Sequence, residues 1–534
     1  MKTLALGLDF GTNSVRALVV DTATGKELAT HVHNYRHGDA GVILDRKNVN
    51  LARQHPQDYL DGTIACVKTC LRKVHADHIV GIGVDTTGST PIPVDEQGHP
   101  LPFKDPAALA WLWKDHTGFD EAEKITATAI KLRPQYLAKC GGKYSSEWFW
   151  SKIWHCATES PKVFDAAYTW VEHADWLPAV LTGTTHPDKI KRGICAAGHK
   201  AMFHADWGGY PEEEFFSALD SRLIRIRRTL PNKAYNIADT AGHLTDEWAG
   251  KLGLKPGIPV AVGAFDAHLG GVGSGIQPGT LVKIVGTSTC DMMVAPLSQK
   301  LPDIPGVCGI VPESILPGHY GLEAGQSAVG DIFNWFVRFS GESHETLTKG
   351  ALKLRPGESG LLGLDWHNGN RTILVDQRLT ALLLGMTLHT TPAEAYLAMV
   401  EATAFGARTI IERFEEYGVN AERLVNCGGV SAKSTLVMQV YADVLNRPME
   451  ISRSDQTCAL GAAMAGAVAG GAHRNFASAT AAMTGTHKKK FRPNAKHAAV
   501  YDRLYRQYRR LHDSFGGDVD VMKQLLTIRN EARR

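Results

Sequence analysis

The chain has 534 residues, of which 44% are hydrophobic, and this length exceeds one ordinary hydrophobic core, so we expect two or more domains. The net charge is only +3, from 58 basic and 55 acidic side chains, which excludes the strong basic excess typical of nucleic-acid and membrane-surface binding. We therefore expect no nucleic-acid partner and no membrane partner.

The cysteines and the apolar segments favour a cytoplasmic protein. Nine cysteines are present without a CxxC pair, and Cys66 and Cys70 lie one helical turn apart on an apolar stripe, as small buried residues do. The chain opens with a strand-like run and shows no signal-peptide pattern. Residues 458–472 form the longest stretch of small apolar residues, which is too short to span a bilayer.

The first half of the chain predicts an α/β domain. Residues 4–10 and 14–21 have the pattern of two strands joined by the turn Gly11-Thr12-Asn13. A helix is predicted over 56–74 and an apolar strand over 79–85. Residues 105–249 are richer in tryptophan, histidine and loops, and we expect them to shape a pocket.

The second half repeats this pattern after a glycine-rich run over 270–279. Residues 280–285 and 290–294 predict two strands joined by the turn Gly286-Thr287-Ser288. A capped helix is predicted from Thr391, and a polar helix over 500–515. We predict a duplicated domain with a cleft between the copies: an N-terminal domain over 1–276, a C-terminal domain over 277–492 and a helical tail over 493–534.

Three glycine-containing loops have the composition of phosphate or nucleotide sites, although each alone also fits a plain turn. Small residues let the backbone approach a polyphosphate, while amides and hydroxyls donate to it. An acid at a strand end, here Asp9, can hold Mg²⁺. The candidate residues are Asp9, Gly11, Thr12, Asn13 and Ser14 in the first loop, Gly286, Thr287 and Ser288 in the second, and Gly428, Gly429 and Lys433 in the third.

Asp266 stands where a predicted strand ends and a helix begins. From the residues alone, this aspartate fits a helix N-cap as well as a catalytic carboxylate. A positioned carboxylate can accept the proton of an alcohol, which is otherwise a poor nucleophile.

In these loops, over roughly residues 4–480, the chain resembles the FGGY carbohydrate kinases, which share the actin-like (ribonuclease H-like) ATPase fold. The resemblance implies an ATP-dependent sugar kinase with Asp266 as general base and Mg²⁺ supported by Asp9. It also implies that the first two loops hold the phosphates and that Gly428 and Gly429 flank the adenosine. Glycerol kinases of the family carry asparagine where Lys433 stands, so the contact of Lys433 with adenine is left open.

The sugar is indicated by other segments. Glycerol kinases present an Arg-Glu pair at the positions of Gly88 and Ser89, and its absence argues against glycerol. Residues 84–91, 112–116, 144–150, 197–200 and 321–327 resemble family members that phosphorylate L-ribulose, in L-arabinose degradation. The resemblance implies L-ribulose or a related pentulose as substrate, contacted by Gly88, Ser89, Thr90, Lys200, Asp266 and Glu323.

Two alternatives stay open at this point. One is a kinase of the same family for D-ribulose, ribitol or xylulose. The other, disfavoured by Asp266 and by the pocket-forming insertion, is a non-catalytic nucleotide switch of the actin and chaperone type. A homodimer is a possible assembly.

Overall fold

The computed structural model describes residues 3–532; residues 1, 2, 533 and 534, at the ends of the predicted N-terminal domain and tail, lie outside the described residues. The described part of the first half contains twelve strands and eleven α-helices. Its strands are β1 (Leu4–Phe10), β2 (Ser14–Asp21), β3 (Glu27–Asn34), β4 (Ile43–Leu44), β5 (Ala52–Gln54), β6 (Ile79–Thr86), β7 (Pro91–Val94), β8 (Ala110–Trp111), β9 (Thr169–Glu172), β10 (Thr240–His243), β11 (Pro259–Ala261) and β12 (Ala264–Phe265). Its helices are α1 (Pro56–Cys70), α2 (Phe119–Leu132), α3 (Gln135–Ala138), α4 (Phe149–Glu159), α5 (Pro161–Ala166), α6 (His173–Thr182), α7 (Ile194–Lys200), α8 (Glu213–Leu219), α9 (Leu223–Arg228), α10 (Asp246–Leu252) and α11 (Asp266–Gly273).

The second half and the tail follow the same alternation of strands and helices. The strands are β13 (Thr280–Val285), β14 (Thr289–Pro296), β15 (Gly309–Pro312), β16 (His319–Ala324), β17 (Leu362–Leu364), β18 (Leu382–Leu384), β19 (Arg423–Cys427) and β20 (Met449–Ile451). The helices are α12 (Gly330–Ser340), α13 (His344–Ala351), α14 (Pro392–Glu416), α15 (Gly429–Lys433), α16 (Thr435–Leu445), α17 (Thr457–Ala469), α18 (Phe476–Met483), α19 (Ala495–Gly516) and α20 (Val521–Ala532).

The two halves have matching central sheets, so the predicted internal repeat is confirmed. The first sheet has the order β10-β11-β6-β1-β2-β3, with β12 also paired to β6, and the second has the order β15-β16-β14-β13-β19-β20. In each sheet, an antiparallel hairpin, β1–β2 or β13–β14, pairs in parallel with a later strand, β6 or β19. The apolar runs of both hairpins predicted the positions of the four strands, and only β14 is longer than predicted.

The helix α17 joins the two halves by packing directly on the first sheet. A Cβ atom built on Gly7 of β1 would overlap the carbonyl oxygen of Ala459, and one built on Gly83 of β6 would overlap that of Ala462. Glycine on the strands and alanine on the helix therefore allow backbone-to-backbone contact. The contact fixes the second half against the carboxyl ends of β1 and β6.

The described residues, 3–532, include no helix that is both long and apolar enough to cross a membrane. The predicted helix over 56–74 ends earlier, at Cys70, and the helix predicted from Thr391 is confirmed, with the capping box formed by Thr391 and Glu394.

The tail helix α19 is longer than predicted and docks on the second half through three tyrosines. Tyr501, Tyr505 and Tyr508 are buried, and their ring centroids lie 5.4–6.1 Å from that of Phe405. The hydroxyl of Tyr508 donates to Asp365 at 3.3 Å. The tail therefore supplies part of the core of the second half.

We expect Tyr508→Ala to lower the free energy of unfolding by about 3–5 kcal/mol, because truncating a buried aromatic ring leaves a cavity. Urea unfolding of the variant measures this change. Arg506→Ala, at an exposed position of the same helix, is the control and should change stability by less than about 0.5 kcal/mol. Equal stability of the two variants would contradict a core role for the tail.

Candidate active site

A cavity of about 570 Å³ lies between the two halves and is lined by both of them. It brings together residues from the two loops predicted to hold phosphates, residues 9–14 (the first phosphate loop) and 286–288 (the second phosphate loop). It also contains residues from the segments predicted to contact a sugar. The lining includes Thr12, Gly88, Lys200, Asp266, Thr287 and Glu323. These positions are far apart in the sequence and share one cavity in the structure.

Three carboxyl groups meet at the ends of neighbouring strands beside this cavity. Asp9 on β1 is paired in register with Asp85 on β6, and Asp266 begins α11 directly after β12. Burial raises the pKa of Asp85 well above its usual range, and the charges of Asp9 and Asp266 raise it further. Asp85 is therefore harder to ionise than an exposed aspartate, and its pairing with Asp9 places two carboxyl groups side by side at the strand ends.

Asp9 itself is partly accessible, with a side chain that is 14% exposed. Burial raises its pKa, while Arg16, at 3.5 Å, and the hydrogen bond with Asp85 lower it. A carboxylate oxygen at a strand end is a ligand that a hard divalent cation prefers. Asp9 therefore fits the predicted role of supporting Mg²⁺.

Asp266 has the properties of a proton acceptor. Burial, together with the charge of Asp9, raises its pKa to about 7. The amide of Ala267 donates to its Oδ1 at 2.6 Å, which orients the carboxyl group at the start of α11. A carboxylate whose pKa lies near the working pH is suited to general base catalysis.

Lys200 and Glu323 form an ion pair that spans the two halves. The Lys200 Nζ atom lies 3.0 and 3.1 Å from the two carboxylate oxygens of Glu323, and both side chains are almost fully buried. Burial alone would raise the pKa of Glu323, but the positive charge of Lys200 outweighs it and holds that pKa below its usual range. The indole ring of Trp148 covers the ammonium group at 5.3 Å.

The structure separates Gly88 from Ser89 and Thr90, which were predicted together as sugar contacts. Gly88 lines the cavity, whereas Ser89 and Thr90 are buried beneath it. Glu172 accepts hydrogen bonds from the Ser89 hydroxyl and from the Thr90 amide, the latter at 2.7 Å. Ser89 and Thr90 therefore support the loop instead of facing the cavity. The loop sequence alone does not define which way each side chain points.

Lys152 and Glu172 hold this loop from below, and no local sequence pattern indicates either residue. The Lys152 Nζ atom donates to the carbonyl oxygens of Ser89 at 2.8 Å, Trp111 at 3.2 Å and Leu112 at 2.8 Å. Burial lowers the pKa of Lys152 to about 7, although the negative charge of Glu172 acts to raise it. A buried charge within an ordinary helix or strand has no sequence motif, so only the fold identifies it.

Each of the two phosphate loops is closed by a backbone hydrogen bond, which spans three residues in the first loop and two in the second. In the first, the amide of Gly11 donates to the carbonyl of Ser14 at 2.9 Å, and in the second Gly286 donates to Ser288 at 2.9 Å. Thr12 and residues 286–288 line the cavity. Asn13 is turned away, because its side-chain amide donates to the carbonyl of Ala40 at 2.6 Å.

The third loop lies beside the second phosphate loop but does not line this cavity. Gly428 has a φ of 90° and packs on the backbone of Val285, directly before Gly286. Gly429 begins α15, with open space where a side chain would stand, and Lys433 ends that helix with its side chain exposed. The loop is therefore placed to receive the part of a nucleotide beyond its phosphates.

Arg371 also lines the cavity and was not singled out from the sequence. The charge of Glu147 offsets the effect of burial on this guanidinium and contributes to raising its pKa. Glu147 comes from the insertion of the first half and lines the same cavity. Neither residue belongs to a glycine-containing loop. Glu147 lies in the segment 144–150 that resembles other family members, whereas Arg371 lies in none of those segments.

Two like α/β domains enclose the cleft, each domain contributes a polar turn, and a carboxyl group lies at the base of the cleft. This arrangement is typical of two-domain kinases with the actin-like fold. Residues 4–273 match the N-terminal domain and residues 281–470 the C-terminal domain of the FGGY family of carbohydrate kinases. The chain belongs to this family and is a sugar kinase, as the resemblance predicted. Sugar kinases of this family use ATP.

Full-length relatives carry a more specific name. A protein named ribulokinase from Halalkalibacterium halodurans is 43% identical over 560 residues, which cover 99% of this chain and 98% of the relative. Another ribulokinase, from Geobacillus thermodenitrificans, is 43% identical and covers 100% of this chain and 98% of the relative.

Solved structures share the fold at lower identity. The xylulose kinase from Rhodospirillum rubrum has a TM-score of 0.79 at 22% identity, covering 96% of this chain and 99% of that one. The Plasmodium falciparum glycerol kinase with ADP has a TM-score of 0.78 at 16% identity, covering 95% and 98%. The predicted fold class, two actin-like α/β domains, is thereby confirmed.

We expect Lys152→Met to reduce kcat/KM for the sugar by about 10–100-fold, because a displacement near 1 Å in the loop beneath the sugar is costly. Steady-state kinetics measures this, and the Kd for ATP should stay unchanged since the phosphate loops are not touched. Lys162→Met, at an exposed position, is the matched control. Normal sugar kinetics in folded Lys152→Met would refute the supporting role.

Proposed function

We propose that the protein transfers the γ-phosphate of ATP to L-ribulose and forms L-ribulose 5-phosphate. Full-length identity to proteins named ribulokinase supports this choice of sugar. The cavity supports it through the Lys200–Glu323 pair, which offers both a donor and an acceptor to sugar hydroxyls and a carbonyl. The proposed domains are 1–276, 277–492 and the tail 493–534.

In the proposed mechanism, Asp266 accepts the proton of the terminal sugar hydroxyl. The hydroxyl oxygen forms a bond to the γ-phosphorus while the bond from that phosphorus to the β,γ-bridging oxygen breaks, and ADP leaves. Asp266 is suited to this step because it is deprotonated in a substantial fraction of molecules near pH 7, given its raised pKa.

The remaining roles follow from position. Lys200, Glu323 and the backbone at Gly88 orient the sugar, while Ser89 and Thr90 support that backbone. When bound, Mg²⁺ would be held at Asp9 and would offset the negative charge of the phosphates. The phosphates would lie between two loops, one with Gly11, Thr12, Asn13 and Ser14 and the other with Gly286, Thr287 and Ser288. The adenosine would lie beside Gly428, Gly429 and Lys433.

A panel of sugars tests the proposed substrate. With ATP and Mg²⁺, kcat/KM should be highest for L-ribulose when compared with D-ribulose, ribitol, D-xylulose and glycerol. A clearly higher value for another sugar would replace L-ribulose, and ADP formation that no sugar stimulates would refute the kinase activity. The predicted homodimer stays a prediction, which sedimentation velocity tests.

We expect Asp266→Asn to lower kcat by roughly 10²–10⁴-fold, the usual effect of losing a general base. ATP binding should survive, because both phosphate loops remain intact. Asp246→Asn, at the exposed start of α10, serves as control and should keep full activity. Near-normal turnover in a folded Asp266→Asn enzyme would eliminate this residue as the base.

We expect Lys200→Met to raise KM for L-ribulose by at least about tenfold, because the variant loses a charge-assisted hydrogen bond worth about 1.5–3 kcal/mol. Glu323→Gln should act in the same direction, and neither change should alter the Kd for ATP measured without sugar. The measurement pairs ATP titration with L-ribulose kinetics. Loss of ATP binding with an unchanged sugar KM would remove that residue from the sugar pocket.

A further inference from the structure

Three side chains from three separate elements meet at the wall of the cavity. They are His199 on α7, His268 on α11 and Glu323 on β16, and one ligand atom of each lies within 4.8 Å of the others. The Glu323 Oε2 atom is 3.4 Å from His199 Nδ1 and 3.5 Å from His268 Nε2. Their side chains are only 0%, 2% and 10% exposed.

The hydrogen bonds of Ser314 define the protonation of His199. The single hydroxyl proton of Ser314 is donated to the carbonyl oxygen of Val311 at 3.0 Å. Its oxygen, 2.9 Å from His199 Nε2, must therefore accept a hydrogen bond from an N–H at that nitrogen. Burial, together with His268, lowers the pKa of His199 well below its usual range, so the ring is neutral and its Nδ1 atom carries a lone pair.

This lone pair faces the carboxylate of Glu323, and no proton lies between the two atoms. His268 adds a second neutral imidazole, since burial lowers its pKa to about 4. Within residues 3–532, His199 Nδ1 and both ring nitrogens of His268 are buried without a hydrogen-bond partner. Buried polar atoms without partners are costly, and a cation bound beside Glu323 Oε2 would satisfy two of these three nitrogens, His199 Nδ1 and His268 Nε2.

The spacing of these atoms suits a particular class of cation. Zinc bonds of about 2.0–2.1 Å in a tetrahedral arrangement place neighbouring ligand atoms about 3.3–3.4 Å apart. Two imidazoles and one carboxylate form a donor set for Zn²⁺ or Co²⁺, whereas Mg²⁺ prefers oxygen ligands alone. The bond from His199 Nε2 to Ser314 also matches the outer hydrogen bond that orients metal-bound histidines.

We propose that His199, His268 and Glu323 form a binding site for a divalent transition-metal ion of the zinc class, separate from the magnesium site at Asp9. The ammonium group of Lys200, 3.0 Å from Glu323, repels such an ion. The ion must therefore displace Lys200 from Glu323 Oε2. If Glu323 and Lys200 bind L-ribulose, as the proposed function holds, the ion and the sugar exclude each other and the ion inhibits the kinase.

Calorimetry with Zn²⁺, and visible absorption with Co²⁺, test the site in the full-length protein. One ion should bind with the strong absorption of tetrahedral Co²⁺. His199→Asn and His268→Asn should weaken that binding by about 100-fold or more, and Ser314→Ala by about 10–100-fold, the range for an outer partner. His173→Asn is the matched control, because His173 is equally buried, lacks hydrogen bonds at both nitrogens and lies outside the cluster.

The variant Lys200→Met separates this site from unspecific metal binding, because removing the competing ammonium group should tighten Zn²⁺ binding. L-Ribulose should weaken Zn²⁺ binding to the wild-type protein. Absence of tetrahedral Co²⁺ absorption in the wild type, or equal affinity in His173→Asn and His268→Asn, would overturn the proposal. Histidine-dependent metal binding in a protein that does not phosphorylate L-ribulose would sustain the metal site and refute the proposed substrate.

Discussion

The backbone contact between α17 and the first sheet is the constraint on which the rest of the structure depends. Gly7 and Gly83 leave no side chain between their strands and the carbonyl oxygens of Ala459 and Ala462. Any larger residue would separate the helix from the sheet, since carbonyl groups cannot move aside as a flexible side chain can. The second half of the chain is thereby anchored at the strand ends that carry Asp9 and Asp85.

This anchoring explains why one cavity contains groups from both halves. Asp266 begins α11, and α11 packs against α17. The second phosphate loop follows β13, and β13 also contacts α11. Lys200 from the first half then reaches Glu323 from the second. Because the ion pair crosses the cleft and each domain contributes one phosphate loop, sugar binding and nucleotide binding both depend on the relative position of the domains.

Much of this arrangement was readable from the sequence. The apolar, strand-like runs of β1, β2, β13 and β14, with a short turn inside each pair, predicted these strands and their repeat, because strands buried on both faces are apolar almost throughout. The strands β3 and β15 and the helix α12 were not predicted. Within the site, the resemblance to the FGGY family located Gly88 and Asp266, but the orientation of Ser89 and the buried charge of Lys152 depend on contacts made by residues distant in the chain.

The central claim is that the two domains, joined at α17, close on their ligands and thereby assemble one active site. Small-angle X-ray scattering measures this most directly, as the radius of gyration without ligand, with each ligand alone and with L-ribulose plus a non-hydrolysable ATP analogue. The account predicts the smallest radius with both ligands together, because the two phosphate loops lie on different domains. An unchanged radius with both ligands at saturating concentration would contradict it.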